Sequence, residues 1–162
     1  LCDLDLHDDM SVPERLSGYR LNIGSVQNGW YNIDNRSVPG LDCLWDLEQV
    51  PWPLEDSSAI IAQMGHVVSR INRARWGMFV LMDEIWRILK PSAQLAVVTY
   101  YGTNSYFQGD PAACNPVTEL TWFHFDPEHR SSLWQHYQPL PWRLVDIKWS
   151  VDGNIEAILA KR

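Results

Sequence analysis

The apolar positions of residues 19–34 fall into two short runs, each ended by a residue that breaks it. Tyr19, Leu21 and Ile23 lead to Gly24, and Trp30-Tyr31-Asn32-Ile33 leads to Asp34. Both runs predict strands. A third short strand is expected at Leu41–Trp45, closing at Asp46. Pro51, Pro53 and the polar residues up to Ser58 forbid regular structure after it. Ala59–Met64 is a buried strand by its length and flanking breakers, and ends in Gly65-His66. From Asn72 to Leu89, Trp76, Phe79, Val80, Ile85, Trp86 and Leu89 recur at helical spacing, and Lys90-Pro91 ends the helix. Gln94–Thr99 then reads as a buried strand. Strand, helix and strand predict a βαβ unit, hence a mostly parallel sheet covered on both faces. Residues 100–138 are irregular and aromatic, with a short helix expected from about Pro116 to Phe125. Trp142–Val151 and Asn154–Ala160 flank Asp152-Gly153 and predict an antiparallel hairpin with a two-residue type I′ turn.

The chain has 162 residues, 46% of them hydrophobic and 20% charged, a composition that suits one globular domain. Residues 1–18 are acidic and are expected to form an arm or a remnant, with the domain at 19–162. Because the first residue is Leu1, the chain is expected to begin partway through its gene product. A net charge of −7 argues against nucleic acid as main partner. No apolar run is long enough to span a membrane. Cys2, Cys43 and Cys114 show no metal-ligand spacing and cannot all pair, which fits a reducing, cytoplasmic setting. The nine tryptophans are expected to serve burial.

A strand ending at a glycine and a strand ending at a carboxylate commonly hold a nucleotide-type cofactor. The glycine admits close backbone approach, and the acid accepts hydrogen bonds from ribose hydroxyls. Gly24 and Asp34 are the candidates, against the plainer reading of a Gly-Ser turn before an edge strand. His66 follows an apolar strand and is a candidate catalytic base, or is simply bonded locally. His124, Asp126 and His129 have spacings that could converge on a metal, but no fourth ligand is evident and none is expected. Tyr100, Tyr101, Tyr106, Phe107, Trp122 and Phe123 either wall an acceptor pocket or form core beneath a cover loop.

In this order the motifs resemble those of the class I S-adenosylmethionine-dependent methyltransferases, most closely the small methyltransferase-like proteins of phages. Leu21-Asn22-Ile23-Gly24-Ser25 resembles the first glycine motif, and Gly29 to Asp34 the second strand with its ribose acid. Asp46 to Trp52 is similar to the Asp-Leu…Leu-Pro-Phe segment beside the adenine. Glu55 to Ile61 with His66 resembles the fourth strand and its active-site end. Glu84 to Pro91 is similar to the Arg-Val-Leu-Lys-Pro-Gly-Gly signature, and Asp110-Pro111 through Asn115-Pro116 to Phe125-Asp126-Pro127 resembles the insertion after strand five. The resemblance spans roughly residues 19–162. It implies an α/β, Rossmann-like methyltransferase sheet, mostly parallel with an antiparallel C-terminal strand. It also implies S-adenosylmethionine as cofactor, held by Asn22, Gly24, Ser25, Asp34, Asp46 and Leu47, with His66 as catalytic residue. The acceptor would be a small molecule or sugar-like. The implied setting is the host cytoplasm or a virion, with a homo-oligomer or a phage protein as partner.

The chain departs from the pattern at several positions. Gly-x-Gly has become Gly24-Ser25-Val26, and only nine residues separate Gly24 from Asp34. That is too few for a crossover helix, so the crossover is a bare loop or the second strand is displaced. His-x-Leu-Glu-His appears as His66-Val67-Val68-Ser69-Arg70, Asp-Pro-Thr-His as Asp110-Pro111-Ala112-Ala113, and Lys-Pro-Gly-Gly as Lys90-Pro91-Ser92-Ala93. Two readings therefore stand: an active methyltransferase, or the same fold kept as a binding or structural module of a phage assembly or virion. A nucleotide-binding oxidoreductase is weaker, since Gly-x-Gly-x-x-Gly is absent.

Overall fold

A computed structural model describes residues 18–72 and 77–162 of the chain. The predicted acidic arm falls outside the described residues, apart from Gly18. Strands β1 (Tyr19–Ile23), β2 (Tyr31–Asp34), β3 (Cys43–Leu44) and β4 (Ala59–Gly65) precede helix α1 (Gly77–Ile88). Strand β5 (Leu89–Tyr100) and the short helices α2 (Ser105–Gly109), α3 (Glu119–Phe123) and α4 (Trp134–Tyr137) follow. The hairpin β6 (Trp142–Trp149) and β7 (Asn154–Lys161) completes the chain.

All seven strands form one sheet in the order β3-β2-β1-β4-β5-β7-β6. β1 to β5 pair in parallel, and β7 runs antiparallel to both β5 and β6. The reversed strand is thus the penultimate one in space, with β6 at the edge. The helix expected from Asn72 is described from Gly77, and β5 begins directly at Leu89, five residues before the predicted start. Its first part is irregular: the register with β4 shifts after the pair Ala59 and Leu89, and Ser92 takes φ 64°. The hairpin turn also differs from the prediction. The Gly153 amide donates to the Ser150 carbonyl, so Val151 and Asp152 are the central residues, and Gly153 takes the positive φ of 74°.

The strands carry two unlike faces. Leu21, Ile23, Ile33, Ala62, Met64 and Leu95 are buried and join Leu81, Met82, Ile85 and Ile88 of α1 in one core. Trp122 and Phe125, in and just after α3, and Trp142 of β6 close this core. On the opposite face the register aligns Asn32, Asn22, Gln63, Ala96, Ile158 and Asp146 across six strands. Arg20, Gln94 and Arg143 of the next row are exposed. The expectation of a sheet covered on both faces therefore does not hold among the described residues. The connections β1–β2, β2–β3 and β3–β4 contain no helix, so no crossover helix from them covers that face, and its side chains are polar at Asn22, Asn32, Gln63 and Gln94, with apolar Ala96 and Ile158 between them and the edge.

A parallel pair joined by a bare loop is feasible here because β1 and β2 pair over only three residues. The chain must return roughly 10 Å, which residues 24–30 can span. The crossover is the bare loop, and the second strand is not displaced. Asn32, 4% exposed, holds it. Its Oδ1 accepts from Asn22 Nδ2 (3.0 Å) and the Gln27 amide (2.8 Å), while its Nδ2 donates to the carbonyls of Trp30 (2.9 Å) and Gly40 (3.2 Å). That uses the full capacity of a side-chain amide.

The loop from β3 to β4 is fastened to α1. Buried Glu84 accepts the Trp52 amide (2.6 Å) and a forked pair of bonds from Arg87 (2.6 and 3.1 Å). Arg87 also pairs with Asp56, and Trp52 itself is buried.

Replacing Asn32 by Ala strands several buried polar groups at once, and the expected cost is about 3 kcal/mol. Urea denaturation of the two proteins measures it. A loss below about 1 kcal/mol would mean that the loops hold without this amide.

Candidate active site

The tips of β1, β2 and β4 converge. The Gly24 amide donates to the Ile33 carbonyl (2.8 Å), and the Trp45 amide donates to the Asp34 carbonyl (2.9 Å), which fixes the ends of the first three strands side by side. His66 continues β4, its amide donating to the Val98 carbonyl (2.7 Å). Between these tips lies a cavity of about 260 Å³. Gly24, Asp34, Asp46, Leu47 and His66, five of the seven site residues expected from sequence, line it. Asn22 and Ser25 do not. Asn22 Nδ2 donates to the Ser25 carbonyl (2.7 Å) and hydroxyl (3.1 Å), and Gln63 Nε2 donates to Asn22 Oδ1 (3.0 Å). These two side chains belong to the polar network that holds the crossover.

Each lining residue has a local cause. Gly24 takes φ 81°, and a Cβ there would stand 2.3 Å from Val67 Cγ2. The position thus needs glycine for packing as well as for backbone angle. Val67, and not Val26, fills the space beside it. Val26 is exposed and lies over Gly40. Asp46 turns the chain, its Oδ1 accepting the Glu48 amide (3.0 Å), and Leu47 is buried with its carbonyl accepting Trp52 Nε1 (3.3 Å).

Asp34 is 2% exposed and is already engaged. Its Oδ2 accepts Arg36 Nη2 (2.9 Å), and its Oδ1 accepts the Arg36 amide (3.1 Å) and Nε (3.4 Å). Among the remaining lining residues, Arg36, Glu48, Val67 and Arg70 were not anticipated as site residues. The signal for Arg36 was its place two residues after the acid, where a guanidinium can fold back onto it.

His66 takes φ 58° and lies tilted against Tyr100, ring centroids 4.2 Å apart, and Tyr100 stacks in turn on Tyr106. Its Nδ1 is buried without a partner in the described structure. Burial, and then the Arg70 charge, push the imidazole below the ordinary histidine value of 6.5, so it is neutral near pH 7. Arg70 Nε donates to Asp110 Oδ2 (2.8 Å). The Ala112 amide and Arg70 hold that carboxyl below the usual range. Arg70, a departure from the motif, thus meets Asp110, forty residues on, as one ion pair, which clips the loop after β4 to the segment after α2.

His124, Asp126 and His129 do not converge. Asp126 accepts the Leu144 amide (2.9 Å) and Arg162 Nη2 (3.1 Å), His124 Nδ1 accepts the Leu133 amide, and His129 stacks on Phe123. Among the described residues no group of three or more His, Cys, Asp or Glu side chains is placed to hold a metal ion. Tyr100 lies beside His66 and Tyr106 stacks on Tyr100, whereas Trp122 is core.

No protein-family model matches the chain, and no curated protein matches it by sequence. Solved structures do match by shape. A S-adenosylmethionine-dependent methyltransferase from Archaeoglobus fulgidus is 15% identical with a TM-score of 0.62, covering 89% of this chain and 86% of its own. One from Aquifex aeolicus is 13% identical with a TM-score of 0.54, covering 90% and 83%. The fold is that of the S-adenosylmethionine-dependent methyltransferases. A chain from the complex of the Haloferax volcanii Trm112 methyltransferase activator is similar too, 10% identical with a TM-score of 0.62 over 92% and 84%. In this methyltransferase fold, the cavity lies at the carboxyl ends of parallel strands, where ligands of open α/β sheets bind. No helix among the described residues is long and apolar enough to cross a membrane.

The unfolded chain binds more protons than the folded one as pH falls below about 6.5, because the folded His66 resists protonation. Its contribution to stability is therefore complete above that pH and is lost on acidification. His124, held low by burial alone, adds in the same direction. His66→Asn keeps a side chain that tolerates positive φ but does not titrate there. The loss of stability between pH 7.5 and 5.5, measured by urea denaturation, is expected to shrink in this variant. An unchanged pH slope would contradict the assignment.

Proposed function

We propose that the protein is a S-adenosylmethionine-dependent methyltransferase acting on a small-molecule or sugar-like acceptor. The observation that carries this reading is the cavity between the tips of β1, β2 and β4, lined together by Gly24, Asp34, Asp46, Leu47 and His66. The similarity of the fold to methyltransferases from several organisms supports the same general function.

The residues present fit such a cofactor. Asp34 would offer its carboxylate oxygens to a ribose diol on release of Arg36, and the Gly24 backbone lies in the cavity wall beside it. Leu47 offers an apolar surface to a purine ring, and Asp46 an acceptor for its amino group. Bound S-adenosylmethionine supplies a methyl group on a positively charged sulfur, already activated towards a nucleophile. The protein's work is then mainly alignment of the acceptor. His66, neutral near pH 7, takes the proton that an acceptor hydroxyl or amine loses on attack. Its ring packs against Tyr100, tilted by 38°.

A second reading has specific support: the fold kept as a binding or structural module, as in a phage assembly or virion. The cavity of about 260 Å³ is at or below the small end of ligand pockets, roughly 300–1,000 Å³, and Arg36 already occupies Asp34. The partner would then be another protein.

Titration calorimetry with S-adenosylmethionine decides between them. The enzyme reading predicts micromolar binding by the wild-type chain. It also predicts at least a tenfold loss on Asp34→Ala, about 1.4 kcal/mol. Absence of binding by a folded wild-type chain would leave the module reading.

A further inference from the structure

The carboxylate at the end of β2 faces the cavity with most of its bonding capacity spent on the chain's own arginine. A carboxylate offers about four acceptor directions. The Arg36 amide and Nε take two on Asp34 Oδ1, and Arg36 Nη2 takes one on Oδ2. The same Nη2 also donates to the Gly24 carbonyl (3.2 Å), so the guanidinium bridges the tips of β1 and β2. A ribose presents two adjacent hydroxyls and needs an acceptor for each. One remaining direction on Asp34 cannot serve both.

The two partners are unlike in their surroundings. The Asp34 side chain is 2% exposed, whereas that of Arg36 is 67% exposed. The acid is fixed by its strand, and the arginine reaches it from solvent on a flexible stem. Release therefore hydrates the cation readily, while the buried anion is left in need of new donors.

We infer that Arg36 is a displaceable stand-in for ligand hydroxyls, and that it sets the affinity and the selectivity of this cavity for a vicinal diol. The inference rests on the cofactor reading of the site. With the arginine seated, the protein stays folded without ligand and rejects ligands that offer Asp34 a single donor, since these cannot replace a forked guanidinium. A diol restores two bonds to the acid and shifts the equilibrium towards the released arginine. The Gly24 carbonyl, freed in the same step, becomes available to the ligand or to water.

The test uses S-adenosylhomocysteine, which carries the diol and no sulfonium charge, with wild type, Arg36→Met, Arg36→Lys, Asp34→Ala and the Asp34→Ala/Arg36→Met pair. Calorimetry at pH 7.5 is expected to show about tenfold tighter binding by Arg36→Met than by wild type. Arg36→Lys, which keeps the charge but not the fork, should fall between them. The double variant should bind no more tightly than Asp34→Ala alone. Thermal melting is expected to show a lower Tm for Arg36→Met without ligand and a larger ligand-induced rise than in wild type. Arg36→Lys remains as a folded probe if the methionine variant does not fold.

Equal or weaker binding by both Arg36 variants, with wild type still binding, overturns this inference and leaves the cofactor reading in place. Binding by Arg36→Met alone, with none by wild type, supports it in its strongest form. Failure of every variant to bind overturns both.

Discussion

One buried amide sets the geometry on which the site depends. Parallel strands ordinarily demand helical crossovers, which return the chain and cover the sheet. Here β1 and β2 are joined without one, and Asn32 bonds to Asn22, Gln27, Trp30 and Gly40 in their place. The Asn32 backbone N–H donates to Asp42 Oδ2 (2.7 Å), which brings in the lead to β3 as well. Polar bonding of this kind suits a sheet face that no crossover helix covers, because Gln63, Gln94 and Arg143 on it can remain hydrated. The other face keeps the apolar character of a buried sheet and does the work of the core.

The same economy shapes the cavity. Its floor is strand tip, and its sides are the loops at 46–48 and 66–71, the second of which is held by the Cys114 and Asn115 amides on the Ser69 carbonyl (2.8 and 3.1 Å). The Asn72 amide donates to Glu48 Oε1 (2.8 Å), joining the two loops to each other, and Arg70 reaches Asp110. Arg36 is paired with Asp34 and Arg70 with Asp110. The acid at the end of β2 is thereby bonded to the chain's own side chain.

Much of the architecture was legible from pattern. The three early strands, β4, the body of α1, the short helix at Glu119–Phe123 and the hairpin follow from apolar runs and breakers. The convergence of Gly24, Asp34, Asp46, Leu47 and His66 follows from their places at strand ends, because parallel strands put their carboxyl ends on one side. Asn22 and Ser25 sit within the same motif but take a structural part, since alternation along β1 turns Asn22 away from the α1 side and towards Gln63. The uncovered sheet face could have been read from Asn22, Asn32, Gln63 and Gln94, polar residues where a doubly covered strand would carry apolar ones. Val67 against Gly24 and Arg36 on Asp34 depend on side-chain direction, which spacing alone does not fix. The ion pair of Arg70 with Asp110 is a long-range contact, and neither residue announces the other.

The central claim is that the cavity at the tips of β1, β2 and β4 is where an adenosine-bearing cofactor binds. Amide chemical-shift mapping with S-adenosylmethionine tests it most directly. The account predicts shifts concentrated at Gly24, at Asp34 to Arg36, at Asp46 to Glu48 and at Gly65 to Ile71. Shifts confined to the polar sheet face around Arg20, Gln94 and Arg143, or to the helices α3 and α4, would contradict it.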